Sequence, residues 1–175
     1  SMKDVPGVDM STGSLGQGIS AAIGMAIAGK LDNRDYRVYA ILGDGEIQEG
    51  QVWEAMMAGA HFKLDNLCAF LDYNGLQIDG DIREVMNPEN VADKFRAFNW
   101  NVIEIDAHNA DQILDAVDQA KSTKGKPTMV VAHSHKGKGV SFMEDQAGWH
   151  GVAPKPDEYE AAIRELDAEI AAREG

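Results

Sequence analysis

The sequence predicts an α/β protein with three layers, in which a mainly parallel sheet is flanked by helices. The first observation is that short apolar runs alternate with longer segments of helical periodicity, which is typical of parallel strands joined by right-handed crossovers. The second is that glycine-rich polar turns follow the first two apolar runs directly, and open α/β sheets bind ligands at that edge. The chain has 175 residues, of which 44% are hydrophobic, so it is long enough for one domain with a hydrophobic core. This single domain is predicted to span residues 1–175.

Four apolar runs predict the strands, because they contain β-branched or aromatic residues and no glycine. These runs are residues 37–42, 67–71, 100–105 and 127–132. Cys68, the single cysteine, lies inside the second run. We therefore expect it to fill the core, and no internal disulfide can form.

Five segments with helical periodicity predict the helices. They cover residues 12–29, 46–63, 90–98, 111–121 and, as a terminal helix, 157–175, which Pro156 opens. The terminal helix carries an apolar stripe that would dock on this domain or on a partner chain. The stripe consists of Tyr159, Ile163, Leu166 and Ile170. Residues 1–2, Ser-Met, are typical of a tag remnant and are excluded from the fold.

The composition excludes several classes of partner. A net charge of −13 argues against nucleic acid and against an anionic membrane surface, both of which require basic patches. The sequence contains no run of about 18 apolar residues and no signal-peptide pattern. With one cysteine as well, the chain is expected to be cytoplasmic.

A candidate metal site stands where the first two predicted strands end. Gly43-Asp44-Gly45 follows the first strand, and Asn74 follows the second. A carboxylate and an amide oxygen at one sheet edge suit Mg²⁺ or Ca²⁺. The flanking glycines would let backbone N–H groups approach a phosphate, and the dipole of the next helix would favour an anion there.

Four motifs in this order resemble transketolase, and most closely the amino-terminal subunit of its split form. They span residues 11–20, 43–50, 75–80 and 149–154, and the resemblance runs from about residue 7 to about residue 156. It implies the thiamine diphosphate-binding fold in its diphosphate-binding (PP-type) version. The family carries histidine motifs further upstream, whereas His61 is the first histidine here, so the chain is expected to lack that upstream segment.

The resemblance also assigns roles to individual residues. Thiamine diphosphate would be bound by Gly13, Ser14, Leu15, Gly43, Asp44, Gly45, Glu46, Asn74 and His150. Mg²⁺, or Ca²⁺ as a substitute, would be bound by Asp44, Asn74 and the backbone carbonyl of Leu76. The catalytic residues would be His150, which reaches the diphosphate and the reacting carbon, with Glu49 and Glu54 at a dimer interface. From the residues alone, a structural histidine and a solvated acidic helix face remain open alternatives.

The function implied by the resemblance is the transfer of a two-carbon ketol unit between sugar phosphates, as in the pentose phosphate pathway. The chain would supply the diphosphate-binding part and need a carboxyl-terminal subunit with the pyrimidine-binding domain, within a homo-oligomeric enzyme. The isolated chain is expected to be inactive. Two alternatives stay open: a non-catalytic cofactor-binding module, and a fragment of a related enzyme such as 1-deoxyxylulose-5-phosphate synthase or a 2-oxo acid dehydrogenase component.

Overall fold

The centre of the structure, a computed structural model that describes residues 2–174, is a four-stranded parallel sheet. Its strands in chain order are β1 (Val38–Gly43), β2 (Leu67–Tyr73), β5 (Asn101–Asp106) and β6 (Thr128–His133). The order across the sheet is β1-β2-β6-β5, and every neighbouring pair is parallel. The predicted fold class and all four predicted strands are confirmed.

The strand register brings the carboxyl ends of the strands to one edge of the sheet. Gly43 at the end of β1 lies opposite Asp72 of β2, and Asp72 lies opposite Ala132 of β6. A short antiparallel hairpin, β3 (Leu76–Gln77) and β4 (Gly80–Asp81), follows β2 at this edge. The turns after β1 and β2 are therefore neighbours.

Six α-helices and two 3₁₀ turns complete the described chain. The α-helices are α1 (Gln17–Leu31), α2 (Gly50–His61), α3 (Ile82–Val85), α4 (Val91–Ala97), α5 (Ala110–Ser122) and α6 (Pro156–Glu174). The 3₁₀ turns are Glu46–Gln48 and Ala147–Trp149. None of the helices found in residues 2–174 is long and apolar enough to cross a membrane. Ser1 of the predicted tag remnant and Gly175 of the predicted terminal helix lie outside the described residues.

Two predicted helices begin later than the sequence indicated. The helix predicted from residue 12 begins at Gln17, because Gly16 has a positive φ of 80° that ends the preceding loop. The helix predicted from residue 46 is interrupted at Glu49, whose backbone is extended with ψ at 129°. The short α3 was not predicted; the carboxylate of Asp81 accepts a hydrogen bond from the backbone N–H of Arg83 and caps it.

The larger core lies between the sheet and a layer that contains α1, α2 and α4. Its fully buried members include Ile19, Leu42, Met56, Leu71 and Phe95. A smaller core lies on the other side of the sheet, where Ala116 and Ala120 of α5 pack with Cys68 and Val130. Burial raises the pKa of the Cys68 thiol to about 11, so the predicted role of this residue in the core is confirmed.

The terminal helix α6 does not bury the predicted apolar stripe. Tyr159, Ile163 and Ile170 are exposed, and Leu166 is half-buried. The contacts that the helix does make include the buried Ala162 and Glu165, whose carboxylate accepts hydrogen bonds from the N–H and the hydroxyl of Ser141 at 2.6 and 2.8 Å. Most of the stripe is therefore not used for docking on this domain.

Helix α2 packs closely against its surroundings at Gly59. The buried Trp100 donates its indole N–H to the carbonyl of Met56 at 2.9 Å, which holds the ring over the helix. A Cβ added at Gly59 would lie 2.8 Å from the Cζ2 atom of Trp100 and 3.1 Å from the Cδ1 atom of Ile23. Any side chain at position 59 must displace one of them.

We expect Gly59→Ala and Gly24→Ala to affect stability in opposite directions. Both changes replace a helical glycine, which alone should raise the free energy of unfolding by about 0.5–1 kcal/mol. At Gly24 a Cβ meets nothing within 4 Å, so the gain should appear in full. At Gly59 overpacking should cost about 1–3 kcal/mol and outweigh it. Urea unfolding measures both, and equal stabilisation of the two variants would contradict the packing described.

Candidate functional site

The carboxylate of Asp44 lies at the centre of the candidate site. Asp44 follows β1 directly and is only 2% exposed. One carboxylate oxygen, Oδ1, accepts a hydrogen bond from the N–H of Gly45 at 2.8 Å, and the other, Oδ2, accepts one from the N–H of Gly75 at 2.5 Å. A single side chain therefore joins the turn after β1 to the turn after β2.

The negative charge of the Asp44 carboxylate is not balanced by a cationic side chain. Burial raises the pKa of its carboxyl, and the negative charge of Asp72 adds to that rise. Hydrogen bonds from the backbone N–H groups of Gly75, Gly45 and Asn74 oppose it. No lysine, arginine or histidine among residues 4–174 forms an ion pair with Asp44. A buried carboxylate without a cationic partner is costly, and a bound cation would remove that cost.

Asn74 is held in one orientation by its neighbours. Its amide oxygen accepts a hydrogen bond from the N–H of Leu76 at 3.0 Å, and its amide nitrogen donates to a carboxylate oxygen of Asp72 at 3.2 Å. The other carboxylate oxygen of Asp72 accepts a hydrogen bond from the hydroxyl of Ser134. Asp72 and Ser134 thus set which face of the Asn74 amide carries the oxygen.

These two residues were not assigned a role from the sequence. The sequence contains one signal for Asp72, which is that it lies two positions before Asn74 and is a second acid near the predicted metal ligands. Ser134 could not be connected to it, because the contact depends on β6 lying beside β2. The N–H of Ser134 donates to the carbonyl of Tyr73 at 3.2 Å, which continues the pairing of β6 with β2 beyond the last residue of each strand.

Glu46 connects the glycine turn to the loop that precedes α1. Its carboxylate accepts hydrogen bonds from the N–H of Gly16 at 2.9 Å and from the N–H of Gly43 at 3.1 Å. The loop that contains Gly13, Ser14 and Leu15 is therefore attached next to the turn after β1. These three residues are exposed, and Leu15 is 59% exposed.

The oxygen donors at this edge fit a hard divalent cation. The set comprises the carboxylate of Asp44, the amide oxygen of Asn74 and the backbone carbonyl of Leu76, all from two adjacent turns. The turns approach closely at Gly45, where an added Cβ would lie 3.1 Å from the Cβ atom of Gln77. Mg²⁺ and Ca²⁺ prefer oxygen ligands of this kind. The structure places Asp44 and Asn74 on adjacent turns, and the N–H of Leu76 contacts Asn74. The role of these three residues as metal ligands stays a prediction.

The three predicted catalytic side chains lie outside this hydrogen-bonded cluster. The imidazole of His150 is exposed, after the 3₁₀ turn Ala147–Trp149, and makes no hydrogen bond or ion pair within residues 2–174. Glu49 lies immediately before α2 and Glu54 lies on it, and both side chains are exposed. Glu49 packs beside Gly16. Their catalytic roles therefore stay predictions.

An open cleft of about 750 Å³ lies beside Asn74 and Gly75 at the same sheet edge. Its other walls come from the end of β5, the loop after β6 and α3. The lining residues with ionisable side chains are Tyr73, Arg83, Glu89, Glu104, Asp106, His108, His133, His135 and Lys138. The cleft is thus polar and of mixed charge, in contrast to the acidic net charge of the chain.

Comparison with known proteins gives a consistent family. The family model described as "Transketolase, thiamine diphosphate binding domain" matches residues 1–171. The chain is 48% identical over 168 residues to the 6-deoxy-6-sulfo-D-fructose transketolase subunit of Clostridium sp. (strain MSTE9). It is 44% identical over 167 residues to an apulose-4-phosphate transketolase subunit of Phocaeicola vulgatus. The match covers 96% and 95% of this chain but only 61% and 59% of those subunits.

Solved structures agree in fold. A transketolase from Pichia stipitis in complex with sedoheptulose-7-phosphate superposes with a TM-score of 0.84 at 32% identity, over 94% of this chain and 26% of that chain. A transketolase from Campylobacter jejuni gives a TM-score of 0.76 at 29% identity, over 95% of this chain and 31% of that chain. The sheet and its flanking helices are therefore those of the thiamine diphosphate-binding fold.

We expect the replacement of Glu46 to lower the stability of the chain, and the replacement of the exposed Glu54 on α2 to leave it nearly unchanged. Glu46→Ala leaves the N–H groups of Gly16 and Gly43 without acceptors, which should lower the free energy of unfolding by about 1–3 kcal/mol. Glu54→Ala removes an exposed carboxylate and should change it by less than about 0.5 kcal/mol. Urea unfolding measures both values. If Glu46→Ala were as mild as Glu54→Ala, the carboxylate would not hold the loop.

Proposed function

The chain belongs to the transketolase family, in which it corresponds to the thiamine diphosphate-binding domain, and we propose that it works as the diphosphate-binding part of a two-chain transketolase. Two relatives with more than 40% identity are named as transketolase subunits. The chain spans about three fifths of their length, and we propose that the activity of the whole enzyme also needs residues outside that span.

The observation that carries the proposal is the buried carboxylate of Asp44, which is hydrogen-bonded to the turn that holds Asn74 and has no cationic partner among residues 4–174. We propose that Asp44, Asn74 and the carbonyl of Leu76 bind Mg²⁺, with Ca²⁺ as a substitute. The metal would in turn bind the diphosphate of thiamine diphosphate. Asp72 and Ser134 would keep the amide oxygen of Asn74 available, since the amide nitrogen donates to Asp72.

When bound, thiamine diphosphate supplies the carbanion that accepts and delivers a two-carbon unit. The residues of this chain bind and orient it. Gly43 and Gly45 would let the diphosphate approach the turn after β1 because they carry no side chains, while their own N–H groups donate to Glu46 and Asp44. Gly13, Ser14 and Leu15 would contact the cofactor from the loop before α1, which Glu46 attaches to this turn. His150 would reach the diphosphate and the reacting carbon from the segment after the second 3₁₀ turn.

The proposed partner is a carboxyl-terminal subunit that carries the pyrimidine-binding domain. Glu49 and Glu54 are exposed, as side chains at an interface between chains must be before assembly, and they would face a second copy in a homo-oligomeric enzyme. The substrates would be sugar phosphates, and the enzyme would be cytoplasmic. The chain alone would bind cofactor and do no chemistry.

Thermal unfolding with Mg²⁺ and thiamine diphosphate tests cofactor binding. A ligand that binds only the folded chain should raise its stability by about 2.7 kcal/mol at a hundredfold excess over its dissociation constant. Asp44→Ala should abolish the shift that depends on Mg²⁺, whereas Asp79→Ala should keep it, because it removes an exposed acid from the β3–β4 turn without touching the ligand set. A shift that survives Asp44→Ala, or is absent from the unchanged chain, would argue against the site.

Reconstitution tests the activity. Mixing the chain with the partner subunit of a split relative, Mg²⁺ and thiamine diphosphate should give ketol transfer that neither chain shows alone. Donors to compare are xylulose 5-phosphate, apulose 4-phosphate and 6-deoxy-6-sulfo-D-fructose, each with an aldose phosphate acceptor. Cofactor binding without turnover would identify a non-catalytic binding module instead.

A further inference from the structure

Three side chains that are able to bind a metal lie together on the segment after β6, and none of them belongs to the ligand set proposed above. They are His135, Glu144 and Asp145, and their ligand atoms lie within 4.8 Å of one another. The ring nitrogen Nδ1 of His135 lies 3.3 and 3.2 Å from the two carboxylate oxygens of Asp145. The ligands of a tetrahedral Zn²⁺ are about 3.3 Å apart, because each bond is about 2.0–2.2 Å long. Two of the three ligands therefore already have the separation that a shared zinc ion requires.

The backbone holds the two ends of this segment together. We call residues 134–146 the β6 loop. The N–H of Asp145 donates to the carbonyl of Lys136 at 2.8 Å. Gly137 has a φ of 73°, and a Cβ added there would lie 2.6 Å from the carbonyl oxygen of Met143. The loop closes this tightly only with glycine at position 137, and a metal would find its ligands already close together, which lowers the entropy cost of binding.

His108 positions His135 from the neighbouring loop after β5. The Nε2 atom of His108 accepts a hydrogen bond from the backbone N–H of His135 at 2.9 Å, and the two rings stack with their centroids 6.0 Å apart. That nitrogen of His108 is therefore occupied and is not counted as a fourth ligand. The side chains of His135 and Asp145 are 56% and 54% exposed, so water can complete the coordination of a metal and the metal can enter from solvent.

Glu144 is shared with a cation of the loop itself. Lys138 donates to the Glu144 carboxylate at 3.0 Å, and this contact, together with the charges of Glu169 and Asp145, raises the pKa of Lys138. Glu169 also pairs with Arg173, so Glu144 and Asp145 supply the negative charge nearest to His135. A divalent ion bound there would replace the ammonium of Lys138 at the Glu144 carboxylate.

We propose that His135, Glu144 and Asp145 bind a Zn²⁺ ion, with water completing its coordination. An imidazole with two carboxylates suits Zn²⁺, whereas Mg²⁺ and Ca²⁺ prefer oxygen ligands alone. Three protein ligands and a water are a common arrangement around zinc. The ion would cross-link the two ends of the β6 loop.

The proposed zinc site has a structural consequence for the segment that follows the loop. Asp145 lies shortly before the 3₁₀ turn Ala147–Trp149 and His150. A cross-link between His135 and Asp145 would fix the start of that segment to the end of β6. The site shares no residue with the proposed diphosphate site, so it stands whether or not the chain binds thiamine diphosphate.

Calorimetric titration with Zn²⁺ tests the site in the metal-stripped chain, with excess Mg²⁺ present to occupy oxygen-only sites. One Zn²⁺ should bind per chain. His135→Asn should weaken binding by about tenfold or more, because it removes the nitrogen ligand. His61→Asn is the matched control, since it makes the same change at an exposed histidine at the end of α2, and it should leave the affinity unchanged.

Two further variants test the carboxylate ligands. Asp145→Asn should also weaken binding by about tenfold or more. Asparagine tolerates the φ of 56° that position 145 adopts, so the loop should keep its shape. Lys138→Gln frees Glu144 from its ion pair and should tighten Zn²⁺ binding about two- to fivefold. An ion held by His135 alone would not respond to Lys138→Gln.

The outcomes separate this site from other zinc binding. An absence of Zn²⁺ binding, or binding that His135→Asn and Asp145→Asn leave unchanged, would overturn the proposal. Equal weakening by His61→Asn would overturn it too, because the ion would then bind surface histidines without selection. Asp44→Ala should leave Zn²⁺ binding intact, and a loss of Zn²⁺ binding in that variant would place the ion at the Asp44 site instead.

Discussion

The pairing of β1 with β2 in parallel register is the constraint on which the candidate site depends. Because Gly43 lies opposite Asp72, the two strands end at the same level, and the carboxylate of Asp44 can reach the N–H of Gly75. A shift of one residue would turn every side chain of a strand to the other face. The apolar residues that pack against α1 and α2 thus fix the register, and the register fixes the site.

The strands and the residues at their ends could be predicted because their signals are local: apolar runs followed by glycine-rich polar turns. The start of α1 could not, because it follows Gly16, whose N–H donates to the carboxylate of Glu46, 30 positions away. The start of α2 could not, because the extended backbone of Glu49 separates the 3₁₀ turn from the helix. The bond between Ser134 and Asp72 was hidden for a similar reason, since β6 lies beside β2 out of chain order. The apolar stripe of α6 correctly predicted a helix, but most of the stripe packs against nothing on this domain.

The proposed site divides into an ordered part and an unrestrained part. Asp44, Asn74 and Glu46 are fixed by hydrogen bonds within this chain, so little conformational entropy is lost there when a metal binds. The side chains of His150 and Glu54 have no such restraints, and Leu15 is largely exposed. Ordering them costs free energy that the cofactor alone must supply in the isolated chain. A partner that packs against them would carry part of that cost, which favours tight cofactor binding only in the assembled enzyme.

The candidate site lies at the end of a strand at the edge of the described sheet. Asp44 follows the last residue of β1, and within the described chain β1 is supported by a strand on one side only. An edge strand opens more readily than an interior strand, because its backbone hydrogen bonds are nearer solvent. Any opening of β1 would separate Asp44 from Gly75 and so disrupt the proposed metal site. The strength of the pairing between β1 and β2 therefore bears directly on the geometry of the proposed metal site.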